Sequence, residues 1–159
     1  MSTRAQIQVI GGNEKLTMYK HTDGYPGGVL PLFKQAYDMP FNREVKGIDG
    51  KLHKADIWRA GRTFKVASYI CSTEPGTIEP LDYHDLHGDI EYFYKVTIKT
   101  DLNEDNPQWY LEVFTSHGSD WYKEDKDGNI DFDAPRTLEN MRQILDMTNV
   151  KELPESINE

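Results

Sequence analysis

Cysteine is nearly missing from this chain: Cys71 is the single one in 159 residues. One thiol excludes an intrachain disulfide and a cysteine-rich zinc site. Cys71 lies in a helical pattern among apolar residues, where cysteine behaves as a small hydrophobe. No apolar run approaches the roughly 20 residues of a membrane-spanning helix, and Met-Ser-Thr-Arg-Ala at the start lacks the apolar core of a signal peptide. No membrane partner is therefore expected, and the expected location is the cytoplasm. The chain also lacks a Gly-x-Ser-x-Gly elbow, a Gly-x-x-x-x-Gly-Lys phosphate loop and a dinucleotide-binding glycine pattern, which argues against a nucleophilic hydrolase. There is no internal repeat and no low-complexity segment. The length suits one domain with a real core, expected over residues 1–150, with residues 151–159 frayed.

Positive charge is scarce overall, with a formal net charge of −9. It is also unevenly spread: residues 1–33 sum to +1, residues 34–65 to +4 and residues 74–159 to −14. An acidic protein repels a polyanion, so non-specific nucleic-acid binding is not expected. A local basic segment on such a protein suits a small anion better, although ordinary solvated surface segregates charge in the same way. An aromatic content of 11% places the chain with folded proteins rather than disordered ones.

Ala5, Ile7 and Val9 alternate with polar residues, Gly11-Gly12-Asn13 marks a turn, and Leu16 and Met18 resume the alternation; this predicts a β-hairpin. The same period puts Tyr19 and His21 on the face opposite Leu16 and Met18. Val29, Leu30, Phe33, Ala36 and Tyr37 recur at helical spacing, with Pro31 tolerable in a first turn. Residues 41–53 read as a loop. A second helix, capped near Asp56, carries Ile57, Ala60, Gly61, Phe64, Ala67 and Cys71 on one face. Residues 72–86 read as loop, and residues 90–100 as the clearest strand. Residues 109–115 form its expected antiparallel neighbour, and Trp121-Tyr122 and Ile130–Phe132 are short strand candidates. A third helix is predicted from about Pro135 to Met147, on the stripe Leu138, Met141, Ile144 and Leu145. The expected class is α+β: an antiparallel sheet of about four to six strands with about three helices packed on it.

Two clusters carry candidate chemistry. The first is His21-Thr22-Asp23-Gly24-Tyr25-Pro26-Gly27-Gly28, at a strand-to-helix junction. Backbone N–H groups of Gly27 and Gly28 at a helix N-terminus favour an anion, with Lys20, Arg59 and Arg62 as candidate cations. His21, Asp23 and Tyr25 complete its candidate ligand contacts. The second is Tyr83-His84-Asp85-Leu86-His87-Gly88-Asp89, from which Tyr83, His84, His87 and Asp89 are candidates. If the clusters meet, His21, His84, His87 and Asp89 could hold a divalent metal such as zinc, manganese or iron, which would polarise a phosphoryl group or activate water. Neither cluster has the spacing of a helical zinc motif. Both also read as plain turn chemistry, with Asp bonding its own backbone and Gly supplying positive φ. His53 and His117 have no assigned role. Tyr25 or Tyr83 could stack on a base.

The N-terminal hairpin, the turn Tyr19-Lys20-His21-Thr22-Asp23-Gly24-Tyr25-Pro26 and the strand motif His87-Gly88-Asp89-Ile90-Glu91-Tyr92 resemble a family of small proteins widespread in phages and in bacterial and archaeal genomes. The resemblance covers about the first 40 residues and residues 84–99. It carries no activity and no catalytic residue onto this chain; it implies a phage or mobile-element setting. In that setting the leading expectation is noncatalytic sequestration of a small anionic ligand, such as a nucleotide signal of host immunity. The alternatives are a metal-dependent nucleotide hydrolase and an acidic mimic of DNA that occupies a host protein. The sequence leaves a homo-oligomer open.

Overall fold

The computed structural model describes residues 2–38, 44–46, 48–54, 62–99, 108–131 and 136–159. β1 (Ala5–Gly11) and β2 (Glu14–Lys20) form the expected hairpin, followed by α1 (Pro26–Tyr37). β3 (Glu44–Lys46) and β4 (Leu52–Lys54) pair as a small separate sheet within the stretch expected to be loop. Then come α2 (Arg62–Thr73), β5 (Ile78–Leu81), β6 (Tyr92–Lys99), β7 (Gln108–Thr115) and β8 (Arg142–Asn149). The main sheet runs β5-β2-β1-β6-β7-β8. Its β1–β6 pair is parallel and the rest are antiparallel, so the sheet is mixed rather than purely antiparallel.

Alternation decides what each face of the sheet meets. Ala5, Ile7, Val9, Met18, Tyr94, Val96 and Leu111 are buried with Val29, Leu30 and Phe33 of α1 and Val66 and Ile70 of α2. The opposite face is covered by loops, where Tyr19, Phe93 and Phe114 bury against Ile90, Trp121 and Met141. Trp121 is fully buried, and its indole Nε1 donates to the Gly88 carbonyl at 3.1 Å, tying the 82–91 loop onto this layer. Pro26 opens α1, where its missing N–H costs nothing. Pro31 consequently falls six residues in, beyond the first turn, and deprives the Gly27 carbonyl of its intrahelical donor. Gly27 is exposed, so water can serve that carbonyl.

Among the described residues, two helices pack on the sheet rather than three. The stretch expected to be the third helix is a short 3-10 turn (Leu138–Asn140) followed by β8, which pairs with the β7 edge. The apolar set 138, 141, 144 and 145 splits between the two layers. Leu138 and Met141 join the outer layer, while Ile144 and Leu145 pack against the helix-side core. The set follows the helical period rather than a strict two-residue one; β8 accommodates it through register irregularities along β7, and pairing with an open strand edge decides the outcome. Trp121-Tyr122 lies in a 3-10 turn, and of the second short strand candidate, Ile130 makes an isolated bridge to Glu124 and Phe132 lies outside the described residues. The start of the second expected helix, including Asp56 and Ile57, also lies outside them.

Beyond residue 150 the chain packs where fraying is expected. Val150 and Leu153 are buried, Ile157 lies against the core, and the Glu159 carboxylate accepts a hydrogen bond from the Tyr92 hydroxyl. His117 Nδ1 stands 3.5 Å from the same carboxylate. No described helix is long and apolar enough to cross a membrane.

Because Trp121 fills the centre of the outer layer, Trp121→Ala is expected to lower unfolding free energy by about 3–5 kcal/mol. Urea denaturation measures this, and a loss below about 1 kcal/mol would mean that the outer layer is not a core.

Candidate functional site

The glycine turn is held by its own packing. Asp23 has a left-handed backbone (φ 54°), which Asp tolerates better than most residues. Gly24 donates to the Thr3 carbonyl at 2.9 Å, and its own carbonyl accepts the buried Tyr94 hydroxyl at 2.6 Å. A Cβ on Gly24 would lie 2.6 Å from that of Ala5, and one on Gly28 would lie 2.3 Å from the Asp23 carbonyl oxygen. The Gly28 N–H donates to the Tyr25 carbonyl at 2.9 Å, leaving Gly27 as the remaining glycine donor of the turn. Close backbone approach is thus sufficient reason for Gly24 and Gly28.

Lys20 turns away from any surface ligand. Its side chain is fully buried, and its ammonium pairs with Glu74 at 2.5 Å. A single buried ammonium needs such a partner to offset its lost hydration. Of the other two candidate cations, Arg59 lies outside the described residues and Arg62 opens α2.

Part of each cluster does meet, around the Tyr19 ring. His21 packs edge-on against Tyr19 with centroids 4.5 Å apart, and His87 lies tilted on it at 4.8 Å. Tyr83 stacks on His87 at 5.6 Å, and its hydroxyl hydrogen-bonds His87 Nε2. The result is a run of four rings: Tyr83, His87, Tyr19, His21. Carboxylates flank it. Tyr19 donates to Asp89 Oδ2 at 2.9 Å, Asp89 Oδ1 stands 3.7 Å from His87 Nδ1, Arg4 stands 3.7 Å from Asp89 Oδ2, and His21 Nε2 lies 3.2 Å from Glu79. Burial pushes the Tyr19 phenol well above its ordinary range, and the adjacent Asp89 carboxylate adds to the shift. Burial, then the bond to Glu159, does the same to Tyr92.

His84 stands apart, its Nδ1 2.8 Å from the Thr17 hydroxyl. None of the contacts of Tyr25 or Gly27 among the described residues reaches the ring run. Nor do any three described His, Cys, Asp or Glu side chains converge as a metal-ligand set. Of the four proposed ligands, His87 and Asp89 stand 3.7 Å apart, while His21 faces Glu79 and His84 faces Thr17.

On the helix side of the same edge lies a groove of about 470 Å³ between α2 and the β2–β5 pair. Leu16, Met18, Ala67, Cys71, Pro80 and Leu81 make its walls, with polar groups from Thr17, Ser68 and Ser72. Pockets of about 300–1,000 Å³ hold small ligands. Burial pushes the Cys71 thiol up, which keeps it neutral near pH 7. Thr17 connects the two places: it lines the groove while its hydroxyl meets His84. Sequence reasoning missed the groove because β5 falls in a stretch rich in Pro and Gly. It missed Arg4 and Glu79 because their roles depend on strand pairing. The alternation of β2 was the available signal, and it does place Tyr19 and His21 correctly.

No protein-family model matches this chain, and no curated protein and no solved structure is significantly similar to it.

Two measurements check these assignments. Gly28→Ala should cost about 1–3 kcal/mol of stability through overpacking against the Asp23 carbonyl. Gly27→Ala, whose Cβ would meet the Tyr25 ring at an ordinary 3.5 Å, should stay within about 1 kcal/mol of the parent. Equal effects in urea denaturation would remove the packing explanation. For Tyr19 and Tyr92, raised folded-state values mean that the unfolded chain loses its phenolic protons first as pH climbs past their ordinary 10.0. Their stabilisation is therefore present below about pH 10 and lost above it. Tyr19→Phe and Tyr92→Phe should each flatten the alkaline fall in unfolding free energy, and an unchanged slope in both would contradict the assignment.

Proposed function

We propose that this protein is a noncatalytic binding protein that holds a small ligand intact, of the phage-encoded, counter-defence kind that its sequence motifs imply. The cytoplasm of an infected cell is the corresponding setting. The observation that carries the reading is the preformed groove at the β2–β5 edge, bounded by apolar walls. Burial pushes the thiol of its titratable wall residue, Cys71, up, and a weak nucleophile with no base beside it among the described lining residues favours retention over turnover.

The nucleotide form of this reading draws support from the ring run. Tyr83 is 38% exposed, and its ring offers a face on which a base could stack. The described contacts of Gly27 do not reach that ring run, and Arg4 and Lys20 are each paired with a carboxylate, so phosphate recognition draws no support of its own. The acidic region spanning residues 74–159 is interspersed with lysines and aromatics, which gives DNA mimicry less support, and a metal-dependent hydrolase would need ligands that converge.

Native mass spectrometry with a panel of cyclic and linear nucleotides and apolar metabolites, followed by denaturing release, tests the proposal. The expected outcome is an intact small molecule recovered at one per chain. Recovery of cleaved ligand, or turnover abolished by a chelator, would make the protein an enzyme instead.

A further inference from the structure

We infer that the groove between α2 and the β2–β5 edge takes a neutral, mainly apolar small molecule that carries one hydroxyl or amide donor at its outer end. This rests on the binding-protein reading above and names the ligand class of the same groove. Its walls are Leu16, Met18, Ala67, Pro80 and Leu81, and none of its lining side chains among the described residues is charged. An ion entering such a site would give up hydration with no counter-charge to replace it. The nearest cation along that face of β2, Lys20, lies two residues past Met18 and is already neutralised by Glu74. Among the described lining residues, an anion therefore meets no charge to draw it into the groove.

The polar rim narrows the class further. Ser72 Oγ donates its proton to the Tyr69 carbonyl at 2.6 Å, and with that bond made it presents an acceptor toward the groove. Ser68, one turn away on α2, is exposed and can do either. A ligand with a donor at its outer end satisfies Ser72. A carboxylate would set lone pairs against lone pairs there. Cys71, between them in the wall, adds a weak thiol contact and a chemical reporter.

The test uses the full chain and the neutral dye Nile red. Saturable uptake of one dye per chain is expected, displaced by octanol about tenfold better than by ionised octanoate, and not by adenosine monophosphate. Octanol should also slow alkylation of Cys71 by N-ethylmaleimide about tenfold. Ser68→Trp and Ser72→Trp should each fill the groove and abolish dye uptake while leaving the thermal midpoint within a few degrees, ~2–4 °C corresponding to about 1 kcal/mol in a domain of this size. Octanoate displacing as well as octanol would overturn the neutral class. Dye uptake without Cys71 protection would move the site elsewhere. No uptake of either probe would mean that the groove is filled by the chain itself or reserved for a macromolecular partner, which also overturns the inference. The binding reading itself fails on a different result, cleaved ligand after denaturing release, so the two failures are distinguishable.

Discussion

The two-residue period of β2 is the constraint on which the candidate region depends. Because successive side chains of a strand point to opposite faces, Leu16, Met18 and Lys20 are committed to the helix side once Thr17, Tyr19 and His21 take the other. β2 also lies between β1 and the edge strand β5, so its two faces are the inner walls of the sheet's open side. One face supplies the groove floor beneath α2, and the other supplies the ring around which His21 and His87 gather. A one-residue slip in the β1–β2 register would exchange them, sending Met18 to the loops and Tyr19 beneath the helices. Pairing along the whole hairpin, from Ala5 with Lys20 to Gly11 with Glu14, holds the register against this.

Lys20 shows what that commitment costs and how it is met. It ends a strand whose period points it inward, and a fully buried ammonium would be strongly unfavourable alone. Glu74, just past the end of α2, closes the pair at 2.5 Å from a side chain that keeps partial contact with water. The pair thereby links the end of β2 to the end of α2 across the upper margin of the sheet. Cutting that link from the Glu74 side would leave the ammonium without its counter-charge, so the geometry of α2 over β2 and the neutrality of Lys20 are one arrangement.

What can be read from the sequence follows from how local each signal is. The hairpin, α1, β6 and β7 are legible because alternation and helical spacing act within a window of a dozen residues. β8 reads as a helix in sequence because Leu138, Met141, Ile144 and Leu145 recur at helical spacing, and the decision for a strand belongs to β7, some thirty residues earlier in the chain. β5 is hidden by Pro80, an edge-strand residue whose missing N–H matters little where no neighbour follows. The turn from His21 to Gly28 falls where the sequence puts it, but its glycines are an ambiguous signal. A glycine that admits a carbonyl and a glycine that admits a phosphate look alike in sequence. Only in three dimensions does the Asp23 oxygen, 2.3 Å from where a methyl group on Gly28 would sit, distinguish them.

The charges of this edge point to the same chemistry as its shape. Arg4 faces Asp89 and Lys20 faces Glu74, while the His21 and His87 rings lie beside Glu79 and Asp89. Arg4 and Lys20 thus each have a carboxylate partner, so a phosphate approaching either would have to displace a group of its own sign. Exposed pairs of this kind contribute little to stability, about 0–1 kcal/mol each, and could be broken at small cost. The displaced carboxylate would nevertheless stay within reach of the incoming anion and repel it. In the binding-protein reading proposed above, affinity at this edge would therefore come from ring faces and apolar walls, where neither partner carries net charge. The acidic balance of residues 74–159, which supply β5 and the 82–91 loop, reinforces that selection: it screens anions away from the edge without obstructing a neutral ligand.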